Sequence, residues 1–377
     1  MLSHRWWNSL SPCLTEVYLP EGASYLLRLR NHGGCSRWNE CLMPTIAVVM
    51  ATLNGEQWLE AQLQSIASQT RLPQRLVISD DGSTDGTLEI TRRFAREAPF
   101  EVVLLKGPHA GFAENFWHAA QQARTEVIAW CDQDDVWYPH KLQVCERHME
   151  VSKVQFLSHS AVVTDADLVP TGRLYPHYSR TCVLEPLVGD PWWFAPGFTT
   201  LFRAELLQSV RWEDRPSDRH FVDGRLAHDE VISLLAFATS RRLEVRDALA
   251  SYRQHERNVD GAPKVRSSLE RARVALSIEP TAYLYKAALA ERYARFLAAC
   301  DPRNTQVIDY FSMIETRCRR RSKIHQSPSR PSGVRNLLVA FCKGDFGRRS
   351  RGSFGGVALL RDLVALGLGA NHVRSEL

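Results

Sequence analysis

The sequence predicts an α/β fold: a mostly parallel sheet with helices on both faces, followed by a helical basic C-terminal segment. Three observations predict it. Short apolar runs of three to six residues recur from Thr45 onward, as strands buried in a parallel sheet require. A helical period separates each run from the next. Polar clusters stand just after the runs, where ligands of parallel sheets bind.

The elements follow in order. Residues 1–43 mix Trp, Cys, Gly and Pro without a sustained period, so an irregular N-terminal extension is expected, with an over-long gene start as one account of it. Residues 45–50 read as the first strand. Residues 57–69 read as a helix, with Trp58, Leu59, Leu63 and Ile66 on one side. A second strand is expected at 75–80 and a second helix at 87–97, with Thr84 and Asp85 as N-caps. A third strand (101–106), a third helix (112–123) and a fourth strand (126–131) complete the alternation. The middle is less regular. Strands are expected at 156–164, 199–203 and 243–250, and a helix at 229–239. Beyond Pro263, residues 265–276 and 282–299 read as helices, and a Ser-Pro-rich break falls at 327–332. The expected organisation is an extension at 1–43, two halves of one domain at 44–145 and 146–262, and a helical basic region at 263–377.

Composition sets limits. The 377 residues are 44 % apolar and 24 % charged, which excludes a disordered chain, a collagen and a disulfide-stapled miniprotein. No apolar run approaches the roughly 18 residues of a spanning helix. The best C-terminal candidate, 357–366, is broken by Arg361 and Asp362. Trp6 and Trp7 stand in no continuous apolar core, so a secretory signal is not expected. Nine cysteines, an odd count with no Cys-x-x-Cys pair, read as free thiols in a reducing compartment, with a zinc site as the minor alternative. The net charge of +5 is uneven: residues 317–351 hold eleven Lys or Arg against one acid, Asp345. Such a tail meets anionic lipid or nucleic acid, or is simply solvated.

Four constellations carry chemistry. Asp132-Gln133-Asp134-Asp135 places three carboxylates just past a buried strand. They are stable together when a divalent cation sits between them and holds a phosphate, or they form an acidic turn capping the next helix. Asp80-Asp81-Gly82-Ser83-Thr84-Asp85 offers a carboxylate to a base or ribose at a strand end, or a well-capped turn. Neither a phosphate-binding Gly-Lys loop nor a dinucleotide glycine fingerprint occurs, so ATPase and dinucleotide readings lose their main supports. In His228-Asp229-Glu230, the carboxylate is a helix cap, or a general base if a hydroxyl comes within reach. In Tyr252-Arg253-Gln254-His255, the histidine is a satisfied polar residue or a metal ligand.

Together these blocks are far more specific than singly. With 46–56, Gly111 to Phe116, Cys131 to Trp137 and Pro196 to Thr200, their order resembles that of family-2 glycosyltransferases of the GT-A fold, a Rossmann-like sheet. The chain is most similar to the bacterial rhamnosyltransferase-type branch, which builds surface polysaccharides. The resemblance covers about residues 44–262. It implies that Thr52, Asn54 and Glu56 hold the nucleoside, that Asp80 reads the base beside Asp81, and that Asp132 lies near ribose. It implies Asp134 as ligand of Mg²⁺ or Mn²⁺ on the donor diphosphate, with Asp135 assisting, and His255 closing the site as a second ligand. It implies Asp229 as catalytic base, with Trp137 and His228 on the acceptor side. Trp137, Trp192, Trp193 and Phe198 are apolar faces for a sugar ring or lipid carrier, or core residues.

The implied function is inverting, metal-dependent transfer of a sugar from a nucleoside-diphosphate donor to a glycan or lipid-linked glycan. dTDP-rhamnose is the first donor expected and a UDP-hexose the second. The enzyme is expected in the cytoplasm, peripheral on the inner membrane through its basic tail, with no nucleic-acid partner. A non-catalytic nucleotide-sugar-binding scaffold is the alternative. A nucleotidyltransferase lacks its usual Gly-rich loop with Arg. Two departures stand out: Ala51 and Leu53 replace the Pro and Tyr of many relatives, and Glu230 stands where the nearest branch often has Trp.

Overall fold

The computed structural model describes residues 44–217, 224–258, 261–263, 280–327 and 329–346, with isolated positions between 358 and 366. The expected extension at 1–43, the expected helix at 265–276 and the basic residues at 348–351 lie outside the described residues. β1 (Ile46–Thr52) explains why its run is apolar throughout. Ile46, Val48 and Met50 face one helical layer and Ala47 and Val49 face the other, all without solvent exposure. α1 (Leu59–Ala67) buries Leu59, Leu63 and Ile66 on the first face. β2 (Arg75–Asp80) pairs in parallel with β1, and β3 (Glu101–Lys106) pairs in parallel with β2. α2 (Thr87–Glu97) lies on the α1 side, and α3 (Phe112–Ala120) on the other. β4 (Val127–Cys131) pairs in parallel with the far side of β1. The expected caps of α2 shift by one residue. Gly86 stands at the N-cap, and the Asp85 carboxylate accepts from the Thr87 N–H and hydroxyl at 3.0 and 2.6 Å.

Beyond β4 the sheet becomes mixed. The two-residue β5 (Val136–Trp137) is followed by α4 (Lys141–Ser152), then β6 (Phe156–Thr164), β7 (Pro170–Leu174), β8 (Cys182–Leu184) and β9 (Thr200–Arg203). The four-residue helix α5 (Glu205–Gln208), then α6 (His228–Thr239) and β10 (Arg242–Arg253) follow. The sheet order is β3-β2-β1-β4-β9-β6-β10-β5, with β7 on β6 and β8 on β10. β9 runs antiparallel to both β4 and β6, whereas β10 is parallel to β6. β10 runs three residues beyond the expected strand and has register shifts after Val245 and Ala248. That extension carries Arg253 and the following His255 to the sheet end where Asp132–Asp135 lie.

α7 (Pro280–Cys300) and α8 (Thr305–His325) pack with α3 and α6 through Tyr293, Phe296, Tyr310 and Phe311. α9 (Arg330–Cys342) closes the described chain, its first turn capped by Ser329. The basic stretch is less free than its composition predicts. Arg317 and Arg320 pair with buried Asp345, and Arg321 pairs with buried Asp362. Among the described residues no helix is long and apolar enough to cross a membrane. The six described cysteines are free, and among the described residues the one group of potential metal ligands contains none of them, while Cys13, Cys35 and Cys41 lie outside the described residues.

Candidate active site

The loops after β1, β2 and β4 are fastened to one another by their own side chains. Asn54 N–H donates to Ser83 Oγ at 2.9 Å, and Thr84 N–H returns a bond to Asn54 Oδ1 at 2.9 Å. Glu56 repeats the pattern: its N–H donates to Asp85 Oδ2 at 3.2 Å, and Gly86 N–H donates to its Oε2 at 2.7 Å. Gln133 joins the third loop by exchanging two bonds with the Leu53 backbone, at 3.0 and 3.1 Å. A side chain at Gly55 would strike Gln133, which accounts for the glycine.

Asp80 is the hub. Its Oδ1 accepts from Gly82 and Ser83 N–H, and its Oδ2 from the Thr52 and Ser83 hydroxyls at 2.8 and 2.6 Å. Asp81 accepts from His109 and Gly111 N–H at 2.7 and 2.9 Å, which ties down the loop before α3. These residues hold the rim together with the same carboxylates expected to face a base. Beside Asp80 lies a cavity of about 340 Å³ walled by Ile78, Leu88 and Leu105, with Arg92 and Lys106 at its edge. Leu53 projects from the first loop and is exposed.

The acidic cluster lies next to this rim. One carboxylate oxygen from each of Asp132, Asp134 and Asp135 falls within 4.8 Å of the others. Burial, with Asp134 and then Asp229 as like charges, pushes Asp132 up to about 8. Burial chiefly raises Asp135 well above the usual carboxylate range, with Asp134 and Asp132 adding to it. Asp135 Oδ1 accepts from Arg253 N–H at 3.0 Å, while its buried Oδ2 has no partner. An all-oxygen, mutually repelling donor set with an orphaned oxygen fits a hard divalent cation such as Mg²⁺ or Mn²⁺.

His255 reaches this cluster through Asp134. Its Nε2 is 2.9 Å from Asp134 Oδ2, and its Nδ1 accepts from Arg257 N–H at 3.2 Å. With Nδ1 accepting from Arg257, Nε2 is the donor to Asp134 in this arrangement. His255 thereby orients Asp134. Its ring stacks on Trp58 at 4.9 Å, and Asn258 Nδ2 also donates to Asp134 Oδ2 at 3.3 Å. The sequence reading missed Trp58, Asn258 and Arg253 as participants. The only signal was that Arg253 flanks the flagged histidine.

Asp229 lies in the first turn of α6, where Glu230 takes over capping by accepting from Ala227 N–H at 2.9 Å. That leaves the Asp229 carboxylate half-buried, with Gly197 N–H donating to its Oδ2 at 2.9 Å. Its charge adds to the raising of Asp132.

Two expected acceptor contacts are corrected. Trp137 is 2 % exposed and lies in the core, with the Lys141 ammonium 3.5 Å from its ring centroid. His228 is buried, stacked on Phe116 at 3.9 Å and edge-on to Trp130, and burial drives it down to about 4. Neither ring presents a face to a ligand. Phe198 is likewise core, Trp192 packs on Tyr293, and Trp193 is exposed.

A model of the Glycosyl transferase family 2 matches residues 47–211, the span containing the three fastened loops and the acidic cluster. The chain carries a glycosyl transferase family 2 domain. It is a glycosyltransferase, and its mixed sheet between helical layers is GT-A-like. The glycosyltransferase is 28 % identical over 240 residues to an uncharacterized glycosyltransferase of Nostoc sp., covering 63 % of this chain and 73 % of that protein. It is 38 % identical over 99 residues to the dTDP-rhamnosyl transferase RfbG of Shigella flexneri, covering 25 % of this chain and 34 % of RfbG. It is 29 % identical over 131 residues to the UDP-Glc:alpha-D-GlcNAc-diphosphoundecaprenol beta-1,3-glucosyltransferase WfaP of Escherichia coli, covering 34 % of this chain and 51 % of WfaP. The chain thus spans about a third of RfbG and half of WfaP.

Proposed function

We propose that this glycosyltransferase inverts the anomeric centre of a nucleoside-diphosphate sugar while transferring it to a glycan or lipid-linked glycan of a surface polysaccharide. The observation that carries this reading is that the charge of Asp229 adds to the raising of Asp132 in the acidic cluster. A general base and a phosphate-anchoring group are what a single displacement needs. Residues 44–145 form the donor half and 146–262 the acceptor half. Thr52, Asn54, Glu56, Asp80 and Asp81 shape the nucleoside rim, and Asp132 lies towards the ribose.

Asp229 takes the proton of the acceptor hydroxyl as that oxygen bonds to the anomeric carbon. The bond from that carbon to the diphosphate breaks on the opposite face, and its electron pair leaves with the diphosphate. A divalent cation held by Asp132 and Asp134 would offset the charge growing there. His255 and Asn258 keep Asp134 turned towards the leaving group.

The partial match to RfbG favours dTDP-rhamnose, and the match to WfaP favours a UDP-hexose and a lipid diphosphate acceptor. An acceptor of that kind places the enzyme at the cytoplasmic face of a membrane. The exposed side chains of Leu338, Val339 and Phe341, with Arg335 and Lys343 nearby, are the surface that would rest there.

The test is calorimetric titration with dTDP, UDP and GDP, with and without Mn²⁺, on the protein and on Asp134→Ala. Metal-dependent binding of one nucleotide, lost in the variant, is expected. No binding of any of them by folded protein would leave the scaffold reading in its place.

A further inference from the structure

The ammonium of Lys141 has no role in the reaction described so far, yet it is wholly buried beside the acidic cluster. A buried lysine is costly unless something specific holds it. Here Nζ donates to the Phe198 carbonyl at 2.6 Å and sits over the Trp137 ring. Burial lowers its pKa to about 8, while Cys145, Cys131, Asp135 and Asp132 favour its charge. The carbonyl it grips belongs to a short 3-10 turn, Gly197–Thr199, immediately before β9.

Each end of that turn is committed. Thr199 Oγ donates to the Pro196 carbonyl and Thr200 Oγ to the Gly197 carbonyl, both at 2.8 Å. The Gly197 N–H donates to Asp229 Oδ2 at 2.9 Å, while Glu230 N–H donates to its Oδ1 at 3.0 Å. The approach is tight. A Cβ at Gly197 would sit 3.2 Å from Asp229 Cβ and 3.4 Å from its Oδ2. Lys141 begins α4, the helix that follows the acidic loop, whereas Asp229 begins α6. Among the described residues, the turn is the hydrogen-bonded bridge from one helix to the other.

We propose that Lys141 is a positioning residue: its hydrogen bond to the Phe198 carbonyl fixes the 197–199 turn, whose Gly197 N–H aims the Asp229 carboxylate at the acceptor. The inference rests on the reading of Asp229 as general base. It adds that the base is aimed by the backbone of the turn, and that the turn is set by a buried cation next to the donor site. A misplacement of about 1 Å at a reacting group costs about 100-fold in rate, so the effect of losing this anchor falls on turnover more than on nucleotide affinity.

The test compares Lys141→Met, which fills the space without a donor, with Lys141→Gln, which keeps a neutral donor. Crystal structures, calorimetric affinity for UDP and dTDP with Mn²⁺, and nucleoside diphosphate released from dTDP-rhamnose and UDP-glucose with water as acceptor are measured for each. In Lys141→Met the turn is expected to shift, the Gly197–Asp229 bond to break, and release to fall about 100-fold, well beyond any change in nucleotide affinity. Lys141→Gln should recover part of the rate. An unmoved Asp229 in Lys141→Met, or an equal loss of nucleotide affinity and rate, overturns the proposal.

Gly197→Ala disturbs the far end of the turn and covers a Lys141 variant that does not fold. Full nucleotide release from Gly197→Ala overturns the proposal as well. Asp229→Asn separates the two readings. If it keeps full turnover, the base assignment fails, and the positioning role with it. If it is inactive while Lys141→Met and Gly197→Ala are active, only the positioning role fails.

Discussion

His255 Nε2 lies 2.9 Å from Asp134 Oδ2, and the tautomer fixed by Arg257 N–H makes the histidine the donor. The two residues come from the ends of β4 and β10, so the bond ties the parallel part of the sheet to its mixed part at the acidic cluster. Loss of the carboxylate and loss of its orienting partner should therefore differ in degree. Asp134→Ala is expected to abolish Mn²⁺-dependent nucleotide binding. His255→Ala is expected to weaken it by about 10–100-fold, the range for partners that orient a ligand. Titration of both variants with Mn²⁺ and nucleotide checks this. Equal, complete loss in both would make His255 a direct ligand.

Asp80 makes a different prediction from the one its sequence position implies. Four donors from Thr52, Gly82 and Ser83 converge on its buried carboxylate. Its removal leaves the buried Thr52 hydroxyl and the half-buried Gly82 and Ser83 donors without this acceptor, which costs about 1–3 kcal/mol. Asp80→Ala should lower the unfolding midpoint in the absence of any nucleotide. A residue that only read the base would leave the apo midpoint unchanged. Thermal melts of the apo protein distinguish the two.

His228 sets a pH dependence. Its folded pKa is near 4, against about 6.5 for the free side chain. Below about 6.5 the unfolded chain takes up a proton that the folded chain does not. Stability from the buried neutral ring is complete above that pH and falls progressively as pH drops towards 4. The loss reaches about 3 kcal/mol. His228→Phe keeps a ring against Phe116 and removes the titration. The wild-type midpoint should fall relative to the variant between pH 6.5 and 4, and a constant difference across that range would contradict the buried neutral state.

How far the sequence carries differs between the two parts of the sheet. β2, β3, α2 and β6 span the residues expected of them: β2 is buried on both faces and keeps Leu76, Val77 and Ile78 unbroken, whereas β3 is the half-exposed edge strand and was marked by its place in the strand-helix alternation. α4 left no such signal, since two of its buried residues are Lys141 and Glu146. β7 is five mostly exposed residues of Pro-Thr-Gly-Arg-Leu, and β5 is only two residues long. The acidic cluster was visible as a motif. The bonds that make Asp80 a hub, His255 a donor and Glu230 the cap of α6 join residues far apart in the chain, and no local spacing encodes them. Trp137 allowed either an acceptor face or a core residue, and it lies in the core. Its ring covers the Lys141 ammonium.

The C-terminal region yields the last prediction. Its charge count overstates its reach, since Arg317, Arg320 and Arg321 are held by Asp345 and Asp362. Leu337 is buried, whereas Leu338 and Phe341 are more than half exposed on α9. Binding to a bilayer would then combine apolar insertion with the remaining basic residues, at about 1 kcal/mol per well-placed charge. Leu338→Glu with Phe341→Glu adds two charges to an exposed face and should leave the unfolding midpoint within about 0.5 kcal/mol of the parent. The same pair should abolish flotation with vesicles containing phosphatidylglycerol. Arg335→Glu should weaken flotation more at low salt than at high salt, because screening already reduces the charge contribution at high salt. Flotation that is equal on neutral and anionic vesicles, or unchanged in the double variant, would remove the membrane from the list of partners.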